Sequence, residues 1–191
     1  MGSTRRHRTP RVLLILWALT MAPQVAAEFT VTAVQTRIEG EILVMDADIG
    51  YGFSKKTLEA LDNGVPLILE VHIQLRGVDD WIWEQSVVDQ RLRYAIRYKP
   101  LSERYWVSQL PSDGSTGSDY VTRDAAIAAL GKIEGFPLVS KERLRKADRP
   151  FRLWIKAFLD PEGLPLPLRP IAYIFPAWKL SSGWTQWPLQ P

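Results

Sequence analysis

The stretch from Leu67 to Arg76 limits the folds open to this chain more than any other. Leu67, Leu69, Val71, Ile73 and Leu75 alternate with Glu70, His72, Gln74 and Arg76, and Ile68 is the one apolar residue in the polar row. Side chains alternate across a strand, so this pattern gives one buried face and one wetter face. A helix would scatter the same apolar residues around its whole circumference. The pattern predicts a central strand of an antiparallel sheet whose inner face is the core.

The flanking sequence repeats the theme. Phe29 to Arg37 is rich in Thr and Val and predicts a first strand. Leu43, Met45, Ala47, Ile49, Tyr51 and Phe53 alternate with smaller or polar residues, a second strand with Asp46 and Asp48 on its outer face. Trp81 to Tyr98 predicts irregular strand structure, with a bulge or a break near Ser86 to Gln90 and with Arg91, Arg93 and Arg97 on one face. Further strands are expected over Glu103 to Leu110, Phe151 to Leu159 and Ile171 to Phe175. Two short helices are expected: one after Ser54 as N-cap, ended by Asn63-Gly64, and one over Thr122 to Ile133. Pro111 to Asp119 reads as a loop, and Leu164 to Leu168, with two prolines, as an extended strap. The fold class is mainly β: an antiparallel β-sandwich with two short helices, of immunoglobulin-like kind or, alternatively, closed like a barrel.

Residues 1–27 are expected to stand apart from the fold. Arg5, Arg6, Arg8 and Arg11 precede the apolar run Val12 to Ala22, and Val25-Ala26-Ala27 supplies the small residues of a cleavage site. This is the pattern of a secretory signal peptide, and the run is short for a span of about 20 residues. The expected products are a leader of residues 1–27, cleaved after Ala27, and a single domain of residues 28–191. The mature protein would be periplasmic or secreted. An uncleaved leader anchoring the chain in the inner membrane is the alternative. Membrane contact is assigned to the leader alone, before cleavage.

Charge follows from that division. The leader carries four of the 24 Lys and Arg and none of the 21 Asp and Glu, which leaves 20 against 21 in the mature chain. A near-neutral domain lacks the footprint of a nucleic-acid binder. The basic cluster Lys141, Arg143, Arg145, Lys146, Arg149 and Arg152 reads as a solvated loop or helix face.

The chain contains no Cys, which excludes thiol catalysis and thiolate metal sites. The mature chain has one His, His72, so a His cluster for metal is excluded. No Gly-x-Ser-x-Gly elbow accompanies it, and its plainer reading is a cross-strand histidine. Asp46 and Asp48 lie on a strand rather than in a cation-binding loop, and the plainer reading pairs them with Arg or Lys across the sheet. No cofactor is expected, and no catalytic residue is assigned.

Seven of the eight Trp lie in the mature chain. Trp154 alternates with the buried positions of its strand and so points outward. Trp81, Trp106 and Trp154, with Arg91 and Arg93, form the candidate partner-binding surface. The competing reading folds the C-terminal Trp residues back over Trp154.

Gly64-Val65-Pro66-Leu67 ahead of a long strand, Tyr98 with Leu101 and Tyr105, Leu159-Asp160 followed by Leu164-Pro165-Leu166-Pro167, and the segment Trp178 to Trp187 together resemble a bacterial exported family, domain of unknown function 4390. The resemblance covers nearly the whole mature chain. It implies export, and it implies a protein partner, since members tend to be encoded near a membrane sensor kinase. It brings no catalytic residues. The expected function is a non-enzymatic module that binds an envelope or sensor-kinase protein. A cell-wall or carbohydrate-binding module using exposed Trp is the alternative.

Overall fold

The structure is a computed structural model, described over residues 28–78, 86–111, 116–147 and 149–189. Residues 1–27, read from the sequence as a leader, and Trp81 lie outside the described residues. Among the described residues nine strands form two antiparallel sheets. β1 (Phe29–Glu39) and β2 (Ile42–Tyr51) make a hairpin, and β7 (Lys132–Ser140) pairs with the far edge of β2. The six-stranded sheet contains β3 (Leu67–Gly77), β4 (Val88–Lys99), β5 (Arg104–Leu110), β6 (Ser118–Tyr120), β8 (Phe151–Leu159) and β9 (Thr185–Pro188), in the order β6-β5-β4-β3-β8-β9.

The stretch Leu67 to Leu75 is central, between β4 and β8. Its odd-numbered residues are fully buried and meet Leu92 and Ile96 of β4 and Leu153, Ile155, Ala157 and Leu159 of β8. The small sheet covers this layer with Phe29, Leu43, Met45, Ala47, Ile49 and Tyr51, so the two sheets share one core.

Helices complete the second layer. α1 (Lys55–Asp62) starts where Ser54 Oγ accepts the Thr57 amide at 3.1 Å, and it buries Leu61. α2 (Arg123–Leu130) starts where Thr122 Oγ1 accepts the Ala125 amide at 3.2 Å, and it buries Ala126 and Leu130. Asp62 joins them to the sheet, accepting from Tyr105 at 2.8 Å and from Arg123 at 2.5 Å. α3 (Lys141–Ala147) carries most of the basic cluster and buries none of its residues, in keeping with a solvated helix face. No helix among the described residues is long and apolar enough to cross a membrane.

Four expectations are corrected. The second helix ends at Leu130 rather than Ile133, because a side chain at Gly131 would strike the Ile49 carbonyl, and the chain turns there into β7. Ser118 to Tyr120 pairs with β5 as a short strand instead of continuing the loop. Ile171 to Phe175 is not a strand: Arg169–Ile174 is a helix, α4, with Pro170 in its first turn. Proline is pre-set for that position, and β9 already occupies the free edge of β8. The strap before α4 is likewise a 3-10 turn over Leu166–Leu168 rather than extended chain.

Tyr51 offers a test of the core. Its ring packs edge-on against Phe29 at 4.8 Å, and its buried hydroxyl has no hydrogen-bond partner among the described residues. Burial, with a smaller contribution from Tyr94, pushes its phenol well above the ordinary value of 10.0. The folded protein therefore keeps this proton when the unfolded chain releases it, so stability falls as pH rises past about 10. Tyr51→Phe is expected to raise stability by about 1 kcal/mol, the scale of an unsatisfied buried hydroxyl, and to flatten the alkaline loss. Urea unfolding at neutral pH and above pH 10 checks both effects. A lower midpoint for the variant would mean the hydroxyl is well served where it stands.

Candidate functional site: a basic and aromatic sheet face

The outer face of the six-stranded sheet is built by strand register. Arg91 lies opposite His72, which lies opposite Lys156. Arg93 lies opposite Glu70 and then Phe158. Gln74 separates Asp89 from Trp154, and Arg76 faces Arg152. Toward β5, Arg97 faces Trp106 and Lys99 faces Arg104. Period-two alternation puts all of these side chains on one side.

Arg76, Arg91, Arg93, Arg97, Lys99, Arg104, Arg152 and Lys156 give this face eight cations, against the carboxylates Glu70, Asp89, Asp119 and Asp160. Residues 28–191 are near neutral, so positive charge is concentrated here and the rest of that stretch is acidic on balance.

Not all of the cations are free. Arg93 Nη2 donates to Asp160 Oδ2 at 2.7 Å, and its Nε lies 3.7 Å from Glu70, an ion pair beyond hydrogen-bond length. Arg91 lies 3.3 Å from Glu70 as a charge contact, and its side chain remains 60% exposed. Arg93 is therefore held by the fold, while Arg91 faces solvent. Glu70 and Gln74 are buried, although they lie on the face expected to be the wetter one.

The cover comes from the C-terminus. The Trp184 ring lies 4.9 Å from His72 and 6.5 Å, edge-on, from Trp154. His72 is fixed beneath it: its Nε2 lies 2.7 Å from Asp89 Oδ1, and Gln74 donates to the other Asp89 oxygen at 2.8 Å. Hydrogen bonds from His72 and Gln74 outweigh partial burial and hold the Asp89 carboxyl below its ordinary value. Arg76 lies 5.6 Å from the Trp154 ring and donates to Gln74 at 2.6 Å.

At the other end of the sheet, Lys99 Nζ lies 3.7 Å from the centre of the Trp106 ring and 3.3 Å from Asp119. Trp106 and Trp154 are on β5 and β8, three strand spacings apart, and the register offsets them by a further eight residues along the strands, so they lie about 30 Å apart. They make no common platform.

Of the residues singled out from the sequence, Arg91, Arg93, Trp106 and Trp154 share this face. Sequence reasoning left out Arg76 and Lys156, for which alternation along β3 and β8 carries a signal. The competing reading, in which the C-terminal Trp residues fold back over Trp154, holds for Trp184, which meets both Trp154 and His72.

The outer face of the small sheet holds a second, shallower feature. Gln35, Arg37, Asp46, Asp48, Lys132 and Glu134 line a cleft of about 320 Å³. Arg37 pairs with Asp46, Lys132 pairs with Asp48 at 2.7 Å, and the Gly135 amide donates to Asp46 at 2.6 Å. These are cross-strand pairs, as the sequence suggested. Among the described residues no group of His, Asp and Glu could hold a metal ion.

The fold and this face define a mainly β module of two antiparallel sheets that displays a basic and aromatic surface. Residues 26–188 match the family described as Domain of unknown function (DUF4390), and the chain belongs to that family. No curated protein and no solved structure matches it.

Proposed function

We infer that the chain is an exported, non-enzymatic module that binds an acidic protein partner of the envelope through the outer face of its six-stranded sheet. A membrane sensor of the kinase class is the partner that the family resemblance suggests. The leader of residues 1–27 carries the chain out, and the domain acts in the periplasm.

The observation that carries this reading is the exposed Arg91, which shares the outer side of β4 with Arg97 and lies two strands across from Lys156, on a face with twice as many cations as carboxylates. Such a surface steers an acidic partner and offers forked, charge-assisted hydrogen bonds to its carboxylates. The carbohydrate reading gains less support. A sugar-stacking site needs a flat aromatic row, whereas Trp154 meets Trp184 edge-on and Trp106 is covered by Lys99.

The test is capture from envelope extracts with the chain from Glu28. Capture is expected to weaken as salt rises, and Arg91→Glu with Arg97→Glu is expected to lower it about tenfold while the urea midpoint is kept. Capture that ignores both charges would overturn the assignment. Salt-resistant binding to cell-wall sacculi, lost in Trp106→Ala, would instead favour the carbohydrate module.

A further inference from the structure

We propose that the C-terminal segment from Pro165 to Pro176 is a docking patch for an anionic lipid surface. The segment covers a 3-10 turn, α4 and the approach to Trp178. Its inward residues are few: Ala172 is buried within it, and Leu164 and Trp178 anchor its two ends. Leu168 packs partly against the core, and most of the rest faces outward. Leu166, Ile171, Tyr173, Ile174 and Phe175 are all exposed, Ile174 at 69%. Prolines 165, 167, 170 and 176 are exposed beside them. Arg169 is the only charged residue in the twelve. A contiguous apolar surface of this kind marks an interaction site, not ordinary scatter of single apolar residues.

The charges around the patch indicate what covers it. Lys56 Nζ lies 5.7 Å from the Phe175 ring, and Thr57 donates to the Ala177 carbonyl at 3.0 Å, which fixes α1 beside the segment. Lys55 and Lys179 are exposed on either flank. Glu162, Glu59 and Asp160 are carboxylates nearby, and Asp160 is taken up by Arg93. Glu162 is engaged by Arg169 and Tyr173, and Glu59 lies 3.9 Å from Lys55. Four cations thus lie around an apolar centre with three carboxylates, each of them engaged. Aromatic and aliphatic side chains enter the boundary between headgroups and acyl chains, while lysines at the rim meet anionic headgroups. This extends membrane contact beyond the leader to the folded domain.

The test uses the chain from Glu28, which holds the whole described core, in co-sedimentation with vesicles. Vesicles of phosphatidylcholine alone are compared with vesicles of equal parts phosphatidylcholine and phosphatidylglycerol. Binding to the anionic vesicles is expected to exceed that to the neutral ones about tenfold and to weaken with salt. Ile174→Asp with Phe175→Asp is expected to abolish it, and Lys55→Glu with Lys56→Glu to reduce it. Ile174→Ser, at a largely exposed position, is expected to reduce it with an unchanged urea midpoint. Arg91→Glu with Arg97→Glu is expected to leave it intact, which separates this patch from the sheet face. Equal sedimentation of native protein and the Asp variant would overturn the proposal. So would a native dimer that the Asp variant dissolves, because a second copy would then be the occupant.

Discussion

A chain ended at Gly163 is expected to be insoluble or molten, and Trp178→Ala alone is expected to cost about 3–5 kcal/mol. The segment beyond Gly163 supplies Leu164, Ala172, Trp178 and Leu180 to the core. It also supplies β9, which pairs Thr185 with Ile155 and Trp187 with Leu153 along the open edge of β8. The connection is seated closely: a side chain at Gly163 would run into Ile68, and the Asp160 amide donates to the Ile68 carbonyl at 2.8 Å. Each large apolar side chain removed from water contributes roughly 1.5–3 kcal/mol. Losing three of them, together with an edge strand, rivals a domain's net stability of about 5–15 kcal/mol. Urea unfolding followed by Trp fluorescence measures the point variant, and near-ultraviolet circular dichroism measures the truncation. A truncated chain with an unchanged midpoint would make the segment a free arm rather than part of the core.

That contribution was legible from the leucines and tryptophans of the segment, but its shape was not. The apolar run Ile171 to Phe175 is too short for its period to separate helix from strand, and the deciding fact is tertiary: β9 already occupies the edge of β8. β7 was hidden for the opposite reason. Gly135 and Pro137 look like breakers, yet β7 is an edge strand, where Pro137 disturbs no inner ladder and Gly135, at φ 60°, takes a bulge that aims its amide at Asp46.

The alternation from Leu67 to Leu75 placed the core face correctly because burial on a sheet follows local parity. The opposite row is drier than its polarity suggests because its cover is not local: Trp184 returns from more than a hundred residues away onto His72, and Arg91 and Arg93 of the neighbouring strand lie against Glu70. Parity also put Arg91, Arg93 and Arg97 on one face. Only pairing register reveals that Arg93 is engaged inside the fold while Arg91 is left to solvent.

That division gives the second large effect. Arg93→Ala is expected to cost about 2–3 kcal/mol, whereas Arg91→Ala should stay within about 0.5 kcal/mol. Arg93 neutralises two carboxylates that the fold keeps from water: the Glu70 side chain is 8% exposed and that of Asp160 is 12% exposed. Removing the shared cation leaves Asp160 without its 2.7 Å partner while its other oxygen still accepts the Glu162 amide at 2.9 Å. Glu70 keeps Arg91 at 3.3 Å, so the loss falls mainly on Asp160. A fully buried pair broken this way costs about 3–5 kcal/mol, and the Arg93 side chain, 43% exposed, is screened enough to fall below that. A double-mutant cycle of Arg93→Ala with Asp160→Asn is expected to return a coupling of about 1–2 kcal/mol in urea midpoints. If Arg93→Ala proved as mild as Arg91→Ala, both arginines would be solvent-facing and Arg93 would join the binding surface. If the difference holds, binding losses in Arg93 variants report unfolding as much as recognition, and Arg91 is the residue on which the partner should be sought.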